Sequence, residues 1–553
     1  MRFSQMILMP VARVAGLHSA VLLKKFLCSH SDTKNIQGAL LKELIKAHCD
    51  TQFGRDFGLK HVKTYEDFKR AIPVATYDRY MPYINSMLDG DYRAMLPAGQ
   101  DPLMFSMTSG TTADPKYIPV TPRFLTETKR TWNAFGYNML RQHLDAWVRP
   151  ILQVTSLMRE KVTSKGIACG AISGLMTATQ KKIVRKMYCV PTWIAEIAEP
   201  ENRFYSVIRH AIEKDVSWTT TANPSTVLKI ISAGQQFAPQ LIKDIADGTY
   251  TMPDGTTPNQ YSTSSRRFRP NPRFARHLQA CLDKSGKLAP KHYWNLSFLA
   301  NWTGGTLGLY TNRLREYFPT QPIYDIGLIA SEGRFSIPLE ANTPAGVAEI
   351  TSNFLEFMPV DQRESQNPET LRAHEVEIGQ EYFLVFSNWT GLLRYNLDDR
   401  VRITGFYENT PKFEFLCRGL HTANITGEKI TESQVVEAMR RTKKQLGLNI
   451  ERFTLQGVFH DPAFYELKLE SLSPDQSSKT AHLLDQNLAE INIEYASKRQ
   501  SARLGPIQPI VYTNAEFDQI ERDKILKRKG RSEQYKHQYL LTEIIKKPSC
   551  NNR

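Results

Sequence analysis

Apolar residues recur three and four apart from Asn35 to about Lys69, at Leu40, Leu44, Ile45 and Phe53, and this spacing predicts helices early in the chain. A loop rich in Asp and Gly, Leu88-Asp89-Gly90-Asp91, then leads to Phe105. From 121 to 250 the period is mostly helical, and Asn223-Pro224-Ser225 ahead of Thr226-Val227-Leu228 reads as a helix start capped by Asn223 or Ser225. Residues 249–275 are basic and rich in turn formers, which predicts a long surface loop. Between 294 and 405 the pattern changes to short apolar runs bounded by turn residues, such as 296–300 and 382–386, as buried strands are.

After Cys417-Arg418-Gly419 a new unit begins. Thr431-Glu432-Ser433-Gln434 has the capping-box pattern and opens a helix whose apolar face is Val435, Val436 and Met439. Strands are expected at Phe453 to Phe459 and Phe464 to Glu470, joined by the turn His460-Asp461-Pro462. The expected fold class is α/β: a large N-terminal domain of β-sheets flanked by helices over 1–419, and a smaller α+β C-terminal domain over 420–553. No internal repeat is present.

The N-terminal residues 1–26 are apolar enough to raise a signal peptide, but Pro10, Arg13 and His18 interrupt the run and Lys24-Lys25 follow it. An amphipathic first helix packed on the body is expected instead. No other stretch reaches the roughly 18 uncharged apolar residues that cross a bilayer, so no membrane insertion and a cytoplasmic location are expected.

The chain has 553 residues, 41% hydrophobic, 10% aromatic and 23% charged, which excludes a disordered or fibrous protein and leaves room for three or four domain-sized units. Its net charge of +15 suits anionic small ligands as well as nucleic acid. Seven cysteines, at 28, 49, 169, 189, 281, 417 and 550, show neither C-x-x-C nor finger spacing, which argues against a disulfide framework or a structural zinc site.

Three strings can carry chemistry. In Ser106-Met107-Thr108-Ser109-Gly110-Thr111-Thr112-Ala113-Asp114-Pro115-Lys116, hydroxyls around a glycine, closed by a lysine, form a phosphate-gripping turn that is not a Walker loop. Alone, such a turn is more often a linker. In 323–333 an apolar strand ends in Ala330-Ser331-Glu332-Gly333, and a Glu at a strand terminus beside a phosphate loop is placed to hold Mg²⁺, a capping or surface Glu being the plain alternative. In 391–406, Asp399 could accept from both ribose hydroxyls, although taken singly a salt bridge to Arg400 or Arg402 is the commoner role.

Together and in this order, the strings resemble the auxin-responsive acyl acid amido synthetase family, a branch of the adenylate-forming superfamily of acyl-CoA synthetases and luciferases, along nearly the whole chain. The resemblance implies that Thr108, Ser109, Gly110, Thr111, Thr112 and Lys116 grip ATP phosphates, that Ser331 and Glu332 form the second nucleotide motif, and that Asp399 binds ribose. Arg418 lies where an Arg commonly touches the nucleotide, and Gln534-Tyr535-Lys536 resembles the site of the catalytic adenylation lysine. Asn301-Trp302-Thr303-Gly304-Gly305 occupies the family's turn between nucleotide and acyl pocket, so Trp302, Thr303 and Gly304 are candidate substrate contacts, with Trp302 as plain core the equal alternative. Cys169-Gly170-Ala171-Ile172-Ser173-Gly174 is a weaker candidate for the opposite wall.

Three departures stand out. Ala113 replaces a glycine after the Thr pair, Leu328 stands where an adenine-stacking tyrosine is frequent, and Asp398 replaces a glycine beside the ribose Asp, leaving a second carboxylate that either Arg400 offsets or that weakens nucleotide affinity.

The implied activity is that of an ATP- and Mg²⁺-dependent carbon–nitrogen ligase that adenylates a small carboxylic acid, releases pyrophosphate and passes the acyl group to an amino acid. Lys536, Thr111 and Glu332 would be catalytic, Glu332 also the metal ligand, and the C-terminal domain a lid on a monomeric enzyme. No role is assigned to the cysteines or histidines; His210, His277 and His421 are the ones to inspect should the amine need a base. The alternatives are an acyl-CoA ligase using the same intermediate, or a non-catalytic nucleotide or nucleic-acid binder using the basic run 524–531. The run lacks interleaved aromatics before Tyr535, which favours polyphosphate steering over nucleic acid.

Overall fold

The computed structural model describes residues 3–108, 115–262, 267–305, 308–419, 422–423, 425–426, 428, 430–460, 462–500, 504–527 and 537–546. The chain divides into two compact units, Met1–Leu307 with Thr311–Phe415, and Leu416–Arg553 with Gly308–Tyr310. The expected break after Gly419 falls within the first residues of the second unit.

The first unit is built on three larger sheets, beside a two-stranded ribbon of Ile329–Ala330 and Gly333–Arg334. Four short strands, Ile151–Gln153, Trp218–Thr220, Phe298–Asn301 and Ile323–Asp325, lie side by side in that order, all parallel. A second sheet of four contains β1 (Met104–Thr108) between its antiparallel partner β2 (Lys116–Val120) and the strand Ala168–Gly170, which runs parallel to it. The third sheet has seven strands, with Tyr395–Tyr407 and Glu381–Asn388 at its centre. Helices cover it: Leu40, Leu41 and Leu44 of Thr33–His48, and Phe68 and Tyr80, pack with Phe354, Phe357, Leu384 and Phe386 in the largest core.

Several expectations are met and others corrected. Helices fill the early region, at Thr33–His48, Gln52–Asp56 and Tyr65–Ala71. The helix start at Asn223 is real, and the Asn223 side chain accepts from the Ser225 amide at 2.9 Å. The stretch 121–250 is helical only in part, because it also contains three-residue strands, too short to impose a period. Residues 249–275 are not simply a surface loop. Tyr250 and Met252 are buried, a short helix spans Asn259–Ser262, and Tyr261 and Phe268 pack around His210. The first helix, α1 (Phe3–Cys28), packs on the helix Pro122–Gln142 as expected, yet its outward face is apolar as well.

In the second unit the reading holds at residue level. Thr431 and Gln434 form the capping box of the helix Glu432–Leu446, and Val435 and Met439 are buried. Phe453–Phe459 and Phe464–Glu470 pair antiparallel; Gln508–Tyr512 and Leu540–Lys546 extend them, each parallel to its neighbour, to a four-stranded sheet. No described helix is long and apolar enough to cross a membrane. The six described cysteines are free thiols.

Candidate functional site

The phosphate-gripping string is a hairpin. Its feet are paired, Thr108 facing Lys116 across β1 and β2, while Ser109, Gly110, Thr111, Thr112 and Ala113 lie outside the described residues, as does the Thr108 side chain. Lys116 Nζ sits over the ring of Tyr77, 5.2 Å from its centre. The Tyr77 hydroxyl fixes the next residue, accepting from the Tyr117 amide at 2.8 Å and donating to the Tyr117 carbonyl at 3.3 Å. Burial pushes the Tyr77 phenol up to about 12, and the Glu332 charge adds in the same direction, so the platform under Lys116 and the second motif share one electrostatic neighbourhood.

Ser106 of β1 donates to Ser331 Oγ at 2.9 Å, across 225 residues of sequence. The second string is not one strand ending in Glu332. The strand stops at Asp325, and Gly327 turns the chain with φ +86, where a Cβ would fall 2.2 Å from the Ser336 carbonyl oxygen. Ala330 and Gly333 then pair antiparallel, leaving Ser331 and Glu332 as the two residues of a tight turn. Glu332 is 2% exposed. Its carbonyl accepts from Asn388 Nδ2 at 2.8 Å, and Tyr395 Oη donates to its carboxylate at 3.5 Å.

Tyr395 begins the third string's strand, along which burial alternates: Tyr395, Leu397, Asp399, Val401 and Ile403 are buried, and the residues between them are less so. The register between this strand and Glu381–Asn388 shifts between Phe383 and Val385, opposite Leu397 to Asp399. Asp398 is the left-handed residue of that bulge, with φ 62, which explains why glycine suits the position. Asp is tolerated because its amide donates to Asn396 Oδ1 at 2.8 Å and its carboxylate accepts from Arg363 Nε at 3.2 Å and Nη2 at 3.1 Å. Arg363, not Arg400, therefore offsets the second carboxylate. Arg400 and Arg402 pair with Glu381. Arg363→Ala should raise the KM for ATP several-fold at unchanged kcat, through loss of about 1 kcal/mol of compensation beside Asp399; initial rates at varied ATP check this.

Trp302, Thr303 and Gly304 follow the strand Phe298–Asn301, at the carboxyl edge of the parallel sheet where open α/β sheets bind ligands. The turn hangs on Asp325, which accepts from Thr303 Oγ1 at 2.8 Å, Thr303 N at 2.5 Å and Gly327 N at 2.6 Å. Burial raises the Asp325 pKa against these donors. The Trp302 indole donates to the Gly327 carbonyl at 2.7 Å, which ties this turn to the second string.

The structure thus brings β1, Lys116, Ser331, Glu332, Tyr395 and Asp399 into the first unit, with the Trp302 turn attached. Arg418, exposed at the end of Thr410–Arg418, belongs to the second unit, and Lys536 lies outside the described residues. His210 is a core residue: burial drives its imidazole down to about 4, and Tyr250 and Phe268 enclose it. His277 meets the His292 carbonyl at 3.0 Å, and His421 lies outside the described residues. Sequence reading missed Tyr77, Arg363 and Asn388, which come from segments with no chemical pattern. Asp325 it could have found, as a carboxylate closing an apolar strand two residues before a glycine.

The fold is that of a solved AtGH3.15 acyl acid amido synthetase in complex with 2,4-DB, which matches 96% of this chain and 94% of its own with a TM-score of 0.83, at 22% identity. The family models for the GH3 N-terminal, central and C-terminal domains match residues 22–323, 347–418 and 433–543. The chain belongs to the GH3 family. Among its relatives, a jasmonoyl-L-amino acid synthetase of Oryza sativa subsp. japonica is 24% identical, with 88% of this chain and 89% of the relative covered. A 4-substituted benzoates-glutamate ligase of Arabidopsis thaliana is 23% identical, covering 89% and 90%.

Proposed function

We propose that this chain is an ATP-dependent acyl acid amido synthetase, which converts a small carboxylic acid to its acyl-adenylate and transfers the acyl group to an amino acid. The observation that carries the reading is the convergence of three strings far apart in sequence, through Ser106 on Ser331 and Tyr395 on Glu332.

A carboxylate is a poor electrophile at neutral pH. Attack of its oxygen on the α-phosphate of ATP expels pyrophosphate and leaves a mixed anhydride with AMP. The amine then attacks the acyl carbon, AMP departs with the anhydride oxygen, and the nitrogen loses its proton. Residues 109–112 and Lys116 are assigned to the phosphates, Asp399 to the ribose, and Arg418 to the nucleotide. Lys536 is assigned to the charge that develops at the α-phosphate, and Trp302, Thr303 and Gly304 to the acyl side.

The donor set fits Mg²⁺ held by one carboxylate and the polyphosphate. Glu332 is 2% exposed, and its carboxylate accepts from the Tyr395 hydroxyl, with no ion pair to Lys, Arg or His among the described residues. No group of three or more His, Cys, Asp or Glu able to form a protein-only cage occurs among the described residues. When bound, the cation supplies charge neutralisation to the polyphosphate.

Asp399→Ala should raise the KM for ATP by roughly ten- to a hundredfold without altering the fold, because a charged hydrogen bond to ribose contributes about 1.5–3 kcal/mol. An unchanged ATP titration would contradict the ribose assignment. The function itself is tested by exchange of labelled pyrophosphate into ATP with pooled carboxylic acids. Exchange must depend on an acid; exchange without one, or none with any acid, contradicts it.

A further inference from the structure

The helix α1 is apolar on two sides. Inward, Ala12, Ser19 and Leu23 are buried, and Gly16 closes so tightly on Leu144 that a Cβ would fall 2.4 Å from Leu144 Cδ2. That face seats the helix on Pro122–Gln142 and Leu144–Trp147. Outward, Val11, Val14, Leu17 and Val21 follow one another at three- and four-residue steps and are 62, 68, 71 and 65% exposed. They are four of the six most exposed large apolar residues among those described, gathered on one helix face. Exposing such a stripe to water is unfavourable, and packing of the chain does not require it, because the opposite face already anchors the helix.

The stripe is edged and interrupted by cations. Arg13 and Lys24, about three turns apart, run along one edge, while His18 and Lys25 stand in the same row as Val14 and Val21, between them and Val11; all four are exposed. Residues 1–31 contain no Asp or Glu, the first acid being Asp32. A short apolar stripe flanked by Lys and Arg, lying flat on a folded body, matches the interface of a bilayer with anionic headgroups. A protein partner would have to match acids to cations scattered beside and within an apolar strip, whereas anionic lipid offers negative charge above acyl chains at every point of its surface.

We propose that α1 docks this protein onto anionic membrane surfaces, with Val14, Leu17 and Val21 entering the boundary between headgroups and acyl chains and Arg13, Lys24 and Lys25 meeting lipid phosphates. The helix lies on the bilayer and does not cross it.

Sedimentation of the full chain with phosphatidylserine-containing vesicles, and with vesicles of phosphatidylcholine alone, tests this. Binding is expected to the first and not the second, and to fall steeply with salt as the Debye length shortens. Arg13→Glu/Lys24→Glu/Lys25→Glu should weaken the partition about a hundredfold. Leu17→Ser/Val21→Ser should weaken it about tenfold or more at unchanged thermal midpoint and unchanged pyrophosphate exchange, since these side chains support neither the core nor the nucleotide site. No partition into anionic vesicles, partition that both variants retain, a stripe buried in a dimer of this chain in solution, or a mature protein from which the helix has been removed would each overturn the proposal. Failure of the ligase reading would leave it standing, because vesicle binding is read without catalysis.

Discussion

Glu332→Gln is expected to lower acid-dependent pyrophosphate exchange by more than a hundredfold while leaving thermal stability unchanged or slightly raised. The carboxylate is buried in a two-residue turn, hydrogen-bonded by Tyr395 at 3.5 Å, with no cationic side chain beside it among the described residues. A buried charge without a partner costs folding free energy, so the isosteric amide relieves the folded state. Under the proposed assignment the same charge holds a divalent cation on the polyphosphate, and its loss should cost about 3–4 kcal/mol at the transition state. The signs are opposite for the two readouts, which is what makes the variant informative. A structural carboxylate would give the reverse, a lowered thermal midpoint with exchange retained. A further check is a Mg²⁺ titration, in which the variant should fail to recover at any concentration.

Lys536→Ala should cut exchange by several hundredfold, about 3–4 kcal/mol for one preorganised charge donor, yet spare transfer from a chemically made acyl-adenylate to an amino acid. Under the proposed assignment, the Lys536 charge acts on the α-phosphate during adenylation alone and has no part in the attack of the amine. Lys527 and Lys529, in the same basic run, are controls whose removal should alter salt dependence alone. Equal losses in both half-reactions, or a larger loss at Lys529, would contradict the assignment.

What the sequence made legible follows the range of the interaction concerned. The capping box at Thr431 and Gln434 and the strands Phe453–Phe459 and Phe464–Glu470 are set by neighbours within a few residues, and they were readable at that resolution. The three- and four-residue strands of the parallel sheet are set by partners dozens of residues away and leave no period. The site divides in the same way. Its carboxylates and hydroxyls stand in compact strings, but the residues that hold them do not: Tyr77 reaches Lys116 from an earlier helix, and Arg363 reaches Asp398 from a turn beyond the strand edge. The bulge at Asp398 was equally hidden, since an Asp with left-handed backbone looks locally like any other strand residue.

The most direct measurement is the product. The protein should be incubated with ATP, Mg²⁺, pooled small carboxylic acids, pooled amino acids and coenzyme A, and the mixture resolved by mass spectrometry. AMP, pyrophosphate and an acyl–amino acid conjugate, one water lighter than its two parents, are predicted. ADP with phosphate, or an acyl thioester with no amide, would contradict the account.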